Sequence, residues 1–333
     1  MCTYTFIKFV DDFSYMSENK KLPWFVVERW LDMSLDEKIE LSKVRIRQFY
    51  EYMGGRVYIS DSGGKDSLVL RELVREIYPD VVVVHSIALT DPDTIKYLGG
   101  VPNMKFISPK DNLRDIIDRY GYPVVSKEVS KNISRYRVAR EKGKVDVMNQ
   151  RMYGIKKDGS KGVVGVIPKK WRYLVDAPFK ISDRCCDLLK KKPFEQFERK
   201  TGLRPFLGIL STESTMRSIK FMENGCTILK KGKERSMPIS FWYEDDVWAF
   251  IRGRGLEYSP IYDKGENRTG CYGCMFGCQY EQKPNRFQRM WERHPKIYEY
   301  YMDELGFAEV LGFMGVEYKP YVEVDRFPFF KKK

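Results

Sequence analysis

The stretch Ser60–Ser67, S-D-S-G-G-K-D-S, constrains this chain more than any other. Ahead of it, Arg56-Val57-Tyr58-Ile59 has the β-branched and aromatic content of a short buried strand. Behind it, Leu70, Leu73, Val74 and Ile77 recur at i, i+3, i+4 and i+7, one face of a helix. A strand entering a helix through adjacent glycines predicts a phosphate-binding turn. Gly63 and Gly64 are both free to take positive φ and leave room for an anion beside the backbone. The N–H groups and positive dipole end of the helix then face that anion. Ser62 and Ser67 add hydroxyls, Lys65 adds a cation, and Asp66 or Ser67 is placed to cap the helix. The plainer alternative is an ordinary glycine-rich turn. The spacing G-x-x-x-x-G-K-[ST] is absent.

The loop resembles instead the S-G-G-x-D-S signature of the PP-loop ATP pyrophosphatase superfamily. That resemblance implies adenine-nucleotide binding, often with cleavage of ATP between its α- and β-phosphates, and Mg2+ accompanying the ATP. The rhythm around the loop agrees. Ser34 and Glu37 form a capping-box pair ahead of a helix that ends at Gly54-Gly55. Val81–Val84 is an apolar run of strand length, as in a parallel sheet covered on both faces. It leads into Thr90-Asp91-Pro92-Asp93-Thr94, polar residues at a strand's carboxyl end, where open α/β sheets bind ligands. A strand near Lys105–Ile107 precedes a helix with Leu113, Ile116, Ile117 and Tyr120 on one face, stopped at Gly121. The expected fold is α/β, a doubly wound and mostly parallel sheet of the adenine-nucleotide alpha-hydrolase-like type, with helical N-terminal and C-terminal additions. The expected divisions are 1–54, a helical segment; 55–280, the nucleotide-binding domain; and 281–333, a helical and aromatic tail. Residues 1 to about 33 read as aromatic-rich and irregular, without an assigned role. His85 reads as a buried structural residue.

Charge adds a second constraint. Lys plus Arg number 59 against 46 acidic residues, a formal +13, which favours nucleic acid or nucleotide over membrane. A merely soluble basic protein is the alternative. The region 127–184 is the most basic, with Arg135, Arg137, Arg140, Arg151 and Lys156 interleaved with Tyr136, Tyr153, Trp171 and Tyr173. It is a plausible track for a phosphodiester backbone, or else a solvated helical insertion. No apolar run reaches membrane-span length and no leader opens the sequence, so a cytoplasmic location without membrane contact is expected. Beyond the second strand, Phe206–Leu210 reads as a further buried strand, followed by Glu213 and by Arg217, a fork suited to phosphate. A helix after Pro238 is expected to bury Trp248 and Ile251.

Seven cysteines in such a chain point to metal or catalysis rather than disulfides. Cys185 and Cys186 are adjacent, Cys271 and Cys274 form a CxxC, and Cys278 follows; Gly270, Gly273 and Gly277 suit a tight ligand loop. Spacing alone does not separate zinc from an iron–sulfur cluster. A phosphate loop, a tandem Cys pair and a later CxxC resemble the phosphoadenosine-phosphosulfate reductase family, including its adenylyl-sulfate-reducing branch. Thr201–Arg204, Glu213–Arg217, Tyr122–Glu128 and the Trp-containing segment before Arg252 add to the resemblance, which covers about residues 35–280. It implies a 4Fe-4S cluster on the tandem pair and the CxxC. Adjacent cysteines in an extended chain point to opposite sides. The expected ligands are therefore Cys186, Cys271 and Cys274, with the fourth open between Cys185 and Cys278.

The sequence departs from the reductases in one respect. They carry a nucleophilic Cys in an E-C-G-L-H motif, and no Cys follows Cys278 here. Cys2, Cys226 or a cysteine spared by the cluster would have to serve. Three functions are therefore expected in competition. The first is ATP-dependent sulfur modification of nucleic acid, like DNA phosphorothioation or RNA thiolation, with a sulfur donor protein. The second is adenylyl-sulfate or phosphoadenylyl-sulfate reduction with a thiol reductant, releasing sulfite. The third is a non-catalytic nucleotide-binding subunit. The nucleotide, ATP or adenylyl-sulfate, is expected on Ser62, Gly63, Gly64, Lys65, Asp66 and Ser67, with Asp91, Glu213 and Arg217 completing the pocket. Lys65, Asp66 and Arg217 are the catalytic candidates.

Overall fold

The computed structural model describes residues 21–320. The chain forms two compact units, each discontinuous in sequence. One gathers the residues up to Pro109 with Lys192–Gly270; the other gathers Lys110–Lys191 with the residues from Cys271 on. These breaks fall elsewhere than 54 and 280. The helix Leu113–Tyr120, expected to belong to the sheet's βα rhythm, lies in the second unit.

The first unit is α/β. Its strands are β1 (Val57–Ser60), β2 (Val83–Ser86), β3 (Met104–Ile107), β4 (Arg204–Leu207), β5 (Thr227–Ile228) and β6 (Arg235–Ser236). They form one sheet in the order β3-β2-β1-β4-β6-β5, parallel throughout except for the β5–β6 pair. Ile59 of β1 lies opposite Val83 on one side and Phe206 on the other. The chain runs from β1 outward through β2 and β3, then returns to add β4 on the opposite side. Strand order therefore reverses beside β1, and the loop after β1 opens at the carboxyl edge of a switch point, where open sheets bind ligands. β2 starts two residues later than the Val81–Val84 run suggested and takes in His85 and Ser86.

Helices cover this sheet with predictable faces. Leu35–Tyr52 starts at the expected capping box, with Glu37 N–H donating to Ser34 Oγ at 3.4 Å and Ser34 N–H donating to Glu37 at 2.9 Å. It ends before Gly54 and Gly55, both at positive φ. Ile46 and Phe49 of that helix join Leu70, Leu73 and Val74 of helix Lys65–Arg75, and Ile59 and Phe206 of the sheet, in one core. Each fully buried side chain of this kind contributes about 1.5–3 kcal/mol. Helix Glu244–Gly253 buries Ile251 as expected, but it is Trp242, just ahead of it, rather than Trp248 that is fully buried in the core, where it donates to Ser42 Oγ at 3.0 Å. Trp248 is half-buried and meets Tyr262 edge-on, ring centroids 5.3 Å apart. Residues Trp24–Leu31, read as irregular, are helical.

The second unit is helical. Leu113–Tyr120 stops at Gly121 (φ +103°), where a Cβ would fall 2.2 Å from the Lys180 carbonyl carbon. Helices Lys127–Glu141 and Val145–Tyr153 follow, then helices Arg286–Arg293, Pro295–Glu299 and Phe307–Phe313. Part of its basic character is structural. Arg137 donates to the carbonyls of Leu174, Val175, Ala177 and Phe179, and Arg140 pairs with Asp176 at 2.6 Å. Those two arginines hold a turn rather than facing a phosphate track. Among the described residues no helix is long and apolar enough to cross a membrane.

Candidate functional site

β1 delivers Asp61 into the loop. Its carboxylate, in a residue 1% exposed, accepts from Gly63 N–H at 2.7 Å and from Arg71 Nη1 at 2.6 Å. Arg71 also donates to Tyr97 OH at 2.9 Å. Asp61 thus pins the first turn, and a guanidinium from the following helix pins Asp61. Gly63 sits at φ +75°, and a Cβ there would meet Thr94 Cγ2 at 2.3 Å. Conformation and space both require glycine. Gly64 departs from expectation: it is the helix N-cap at φ −88°, ψ 162°, with no side-chain cap. Space alone constrains it, because a Cβ would fall 2.6 Å from Thr269 Oγ1 and 3.3 Å from Tyr262 OH.

Neither Asp66 nor Ser67 caps the helix. Ser67 Oγ donates to the Gly64 carbonyl at 2.9 Å, accepts from Ser62 N–H at 3.2 Å and lies 3.1 Å from Ser62 Oγ. Lys65 N–H donates to Tyr262 OH at 2.9 Å. The Lys65 ammonium, in a residue 5% exposed, lies 3.2 Å from Glu244 and 3.7 Å from Asp66. Burial holds the Asp66 carboxyl above the usual range despite Lys65, and its Oδ1 has no hydrogen bond. Burial also pushes the Tyr262 phenol up to about 12, so it stays a neutral donor. Two hydroxyls, an ammonium and a helix N-terminus therefore converge on one loop, a set that can hold a phosphate.

The outer residues meet this loop to different degrees. Gly208, just past β4, lets that strand end approach the helix start, since a Cβ would lie 2.9 Å from the Asp66 carbonyl and Ser67 N. Helix Thr215–Asn224, capped by Ser214, carries Arg217, which pairs with Glu213 and feels the charge of Asp66. Burial holds Arg217 below the usual arginine range, with Asp66 opposing and Arg268 reinforcing the shift. Asp91 accepts from Asp93 N–H at 2.9 Å as the cap of helix Pro92–Gly99, whose Thr94 and Leu98 wall Gly63. His85 bridges the Asp61 carbonyl at 2.7 Å and Thr90 Oγ1 at 2.9 Å, a structural position as read. The residues 259–269 have no signature in the sequence. Tyr262, Arg268 and Thr269 carry no motif, and only folding brings them to the loop.

The second unit gathers the thiols. Cys185 and Cys278 are buried; Cys186, Cys271 and Cys274 are partly exposed. A hydrogen bond from Cys185, helped by Lys127 and Lys190, pushes the Cys186 thiol down to about 6. The same bond, with burial and the charges of Cys274 and Cys271, drives Cys185 far up. Burial pushes Cys274 up to about 11, with Cys271 and Cys186 adding to the shift. Burial pushes Cys278 up to about 12, and among the other cysteines it feels Cys274. Against burial, Cys271, Cys274 and Cys186 hold the Lys190 ammonium above the usual lysine range.

The loop that carries the CxxC is braced. Gly273 (φ +75°) admits the Tyr301 ring, and Tyr301 OH donates to the Tyr272 carbonyl at 3.1 Å. Arg286 donates to the Cys274 carbonyl at 2.7 Å while paired with Glu281. Gly277 is also left-handed and Gly270 is not. Thiols clustered beside lysines fit an anionic thiolate-ligated group. Cys226, a nucleophile candidate by elimination, is fully buried in the first unit's core and pushed up by burial to about 11, so it is inert. Cys2 lies outside the described residues.

A family model, the phosphoadenosine phosphosulfate reductase domain, matches residues 141–276. That span contains the tandem cysteines, Glu213–Arg217 and the CxxC. Over those residues the chain is similar to the phosphoadenosine phosphosulfate reductase domain. Two uncharacterised proteins of Methanocaldococcus jannaschii are 23% identical to this reductase-like chain over 274 residues and 25% identical over 298 residues. These matches take in 79% and 86% of this chain but 46% and 58% of the relatives, so the chain spans about half their length. An adenosine 5'-phosphosulfate reductase of Allochromatium vinosum is 28% identical over 120 residues, 34% of this chain and 43% of that protein. The Ser60–Ser67 loop lies outside the 141–276 match, and its assignment rests on the geometry above.

Proposed function

We propose that this reductase-like chain is a nucleotide-dependent sulfur-transfer enzyme, and that its reaction is ATP-dependent sulfur modification of nucleic acid. The observation that supports the reading is the loop at the switch point, where the Ser62 and Ser67 hydroxyls lie 3.1 Å apart at the N-terminus of a helix that starts at Lys65. An oxygen of the acceptor attacks the α-phosphorus of ATP; the new P–O bond forms as the α–β bridge breaks and pyrophosphate leaves. The terminal sulfur of a donor persulfide (R–S–SH) then attacks the activated position and AMP leaves with that oxygen; a thiol reductant cleaves the resulting S–S bond, releasing R–SH and leaving sulfur in the oxygen's place. Ser62 and Ser67 orient the phosphates, with Mg2+ accompanying the ATP, while Lys65 and Arg217 stabilise the charge gathering on the leaving pyrophosphate. Asp66, its carboxyl raised by burial and opposed by Lys65, lies beside the Lys65 ammonium at the start of the helix.

A 4Fe-4S cluster would be held by Cys186, Cys271, Cys274 and one of Cys185 and Cys278; when bound it supplies sulfur handling and electrons. The charges of Cys186, Cys274 and Cys271 all reach Cys185, which supports the tandem pair. A zinc ion on the same four thiolates is the alternative occupant, and it would leave the site without redox chemistry.

The second reading, reduction of adenylyl-sulfate to sulfite and AMP by a thiol reductant, is favoured by the similarity to the Allochromatium vinosum protein. Anaerobic purification with iron, zinc and sulfide analysis, followed by two product assays, separates the readings. Pyrophosphate release that depends on added DNA or RNA supports sulfur modification. Sulfite release from adenylyl-sulfate plus thiol, without the former, replaces it with the reductase reading.

A further inference from the structure

The second unit also holds an open cavity of about 690 Å³ that neither the phosphate loop nor the thiols account for. Helix Lys127–Glu141 sends Lys127, Lys131 and Arg135 to its wall, at i, i+4 and i+8 on one face. Helix Val145–Tyr153 adds Arg151, and the following loop adds Lys156. Five cations thus line the cavity against one carboxylate, Glu128. Among the described residues Lys131, Arg135, Arg151 and Lys156 make no ion pair with a carboxylate. Like charges at i, i+4 repel along a helix, so the free protein carries uncompensated charge here.

Two donors sharpen the picture. Asn132 lines the same cavity, is 2% exposed, and its Nδ2 has no hydrogen-bond partner. Arg151 Nε is likewise buried and unpartnered, although its Nη1 donates to the Gly165 carbonyl at 3.1 Å. Gly165 sits at φ +75° with Arg151 Nη1 2.1 Å from where a Cβ would be, so the backbone reaches the guanidinium only as glycine. Burial and the neighbouring Arg135 hold Arg151 below the usual arginine range. Buried donors are normally paired, and a ligand rich in acceptor oxygens and negative charge supplies what both lack.

We propose that this cavity binds the phosphodiester backbone of the single-stranded nucleic-acid acceptor. The inference rests on the nucleic-acid reading above and assigns it a place. The walls are open, with Lys131, Arg135 and Lys156 exposed, as a continuous strand requires. Tyr153, next in sequence to the lining residue Gly154, is 60% exposed with the Arg172 guanidinium 5.5 Å from its ring, and Val163 and Val164 are exposed on the adjoining loop. These are apolar faces for bases, which stack without sequence preference. Lys127 joins the cavity to the thiols: it lies 3.2 Å from Asp187, the neighbour of Cys186.

The test is fluorescence anisotropy of the full chain with a labelled single-stranded oligonucleotide of about 12 nucleotides, across a salt series. Lys131→Gln/Arg135→Gln is expected to bind about tenfold more weakly, with the salt slope reduced by about 1.4, the value when two phosphates are no longer neutralised. The control Lys142→Gln/Lys144→Gln removes two exposed lysines outside the cavity and is expected to bind within about twofold of wild type. Circular dichroism checks that each variant is folded. If the cavity variant binds like wild type, or both variants weaken alike, the cavity assignment falls while the nucleic-acid reading stands. If the wild type binds no oligonucleotide, both fall. If ATP displaces the oligonucleotide equally from wild type and from Gly64→Val, the cavity is a free-nucleotide site and the proposal is overturned.

Discussion

Gly63 and Gly64 are neighbours that must be glycine for different reasons. Gly63 adopts a left-handed conformation; Gly64 has an ordinary backbone and lacks only room, because Thr269 and Tyr262 occupy the space a Cβ would take. Gly64→Val is therefore expected to fold, since its φ suits valine, yet to lose at least about 100-fold in ATP or adenylyl-sulfate affinity, about 2.7 kcal/mol. Calorimetry on the folded variant checks this, and wild-type affinity would remove the loop from the nucleotide site. Cys186 supports a second prediction at this scale. Its pKa is depressed below the ordinary thiol value, first by the Cys185 hydrogen bond and then by Lys127 and Lys190. Thiolate reactivity in the metal-free protein should persist as pH falls from 9 and be lost on passing below about 6. Mass-spectrometric alkylation rates read this directly; an unshifted profile near 8.5 (roughly, for a free thiol) refutes it.

At the scale of the element, helix Lys65–Arg75 does two tasks at opposite ends. Its first turn faces the proposed phosphate site, and ten residues after Asp61 it returns Arg71 to that buried carboxylate. Arg71→Met leaves Asp61 buried without its cation, and such a loss costs about 3–5 kcal/mol. A urea midpoint close to wild type would show that the pair does not hold the loop. The short π-helix Cys186–Lys191 and the loop Cys271–Cys278 carry thiols, and Tyr301 and Arg286 brace the second of them. Single Ser substitutions of Cys186, Cys271 and Cys274 should each lower iron content sharply. Between Cys185→Ser and Cys278→Ser, the variant that keeps full iron marks the spare thiol, and Cys278 is the expected one. Full iron in Cys185→Ser would reverse that choice.

For the whole molecule, the decisive feature is that each unit is built from two separated segments. The tandem cysteines and the CxxC belong to one unit, although Lys192–Gly270 between them belongs to the other. A group bound to both ends ties that unit's two segments together and stabilises it by mass action. Removing the metal should therefore raise hydrogen exchange within residues 110–191 and 271–320 while leaving β1, β2 and helix Lys65–Arg75 protected. A uniform rise across both units would contradict this division of labour.

The sequence by itself determined whatever depends on near neighbours. The strand–loop–helix of Ser60–Ser67, the capping box at Ser34, the stop at Gly121 and the mostly parallel sheet all follow from period, caps and backbone freedom within a few residues. The tertiary structure alone decided what depends on distant partners. Trp242 rather than Trp248 enters the core because Ser42 receives its N–H. Arg137 holds four carbonyls instead of facing a ligand because the turn after Trp171 closes on it. Gly64 needs to be glycine because of Thr269, some two hundred residues away in sequence. Local energetics are written in adjacent residues; the space around a side chain is set by chain segments that meet only once folding has brought them together.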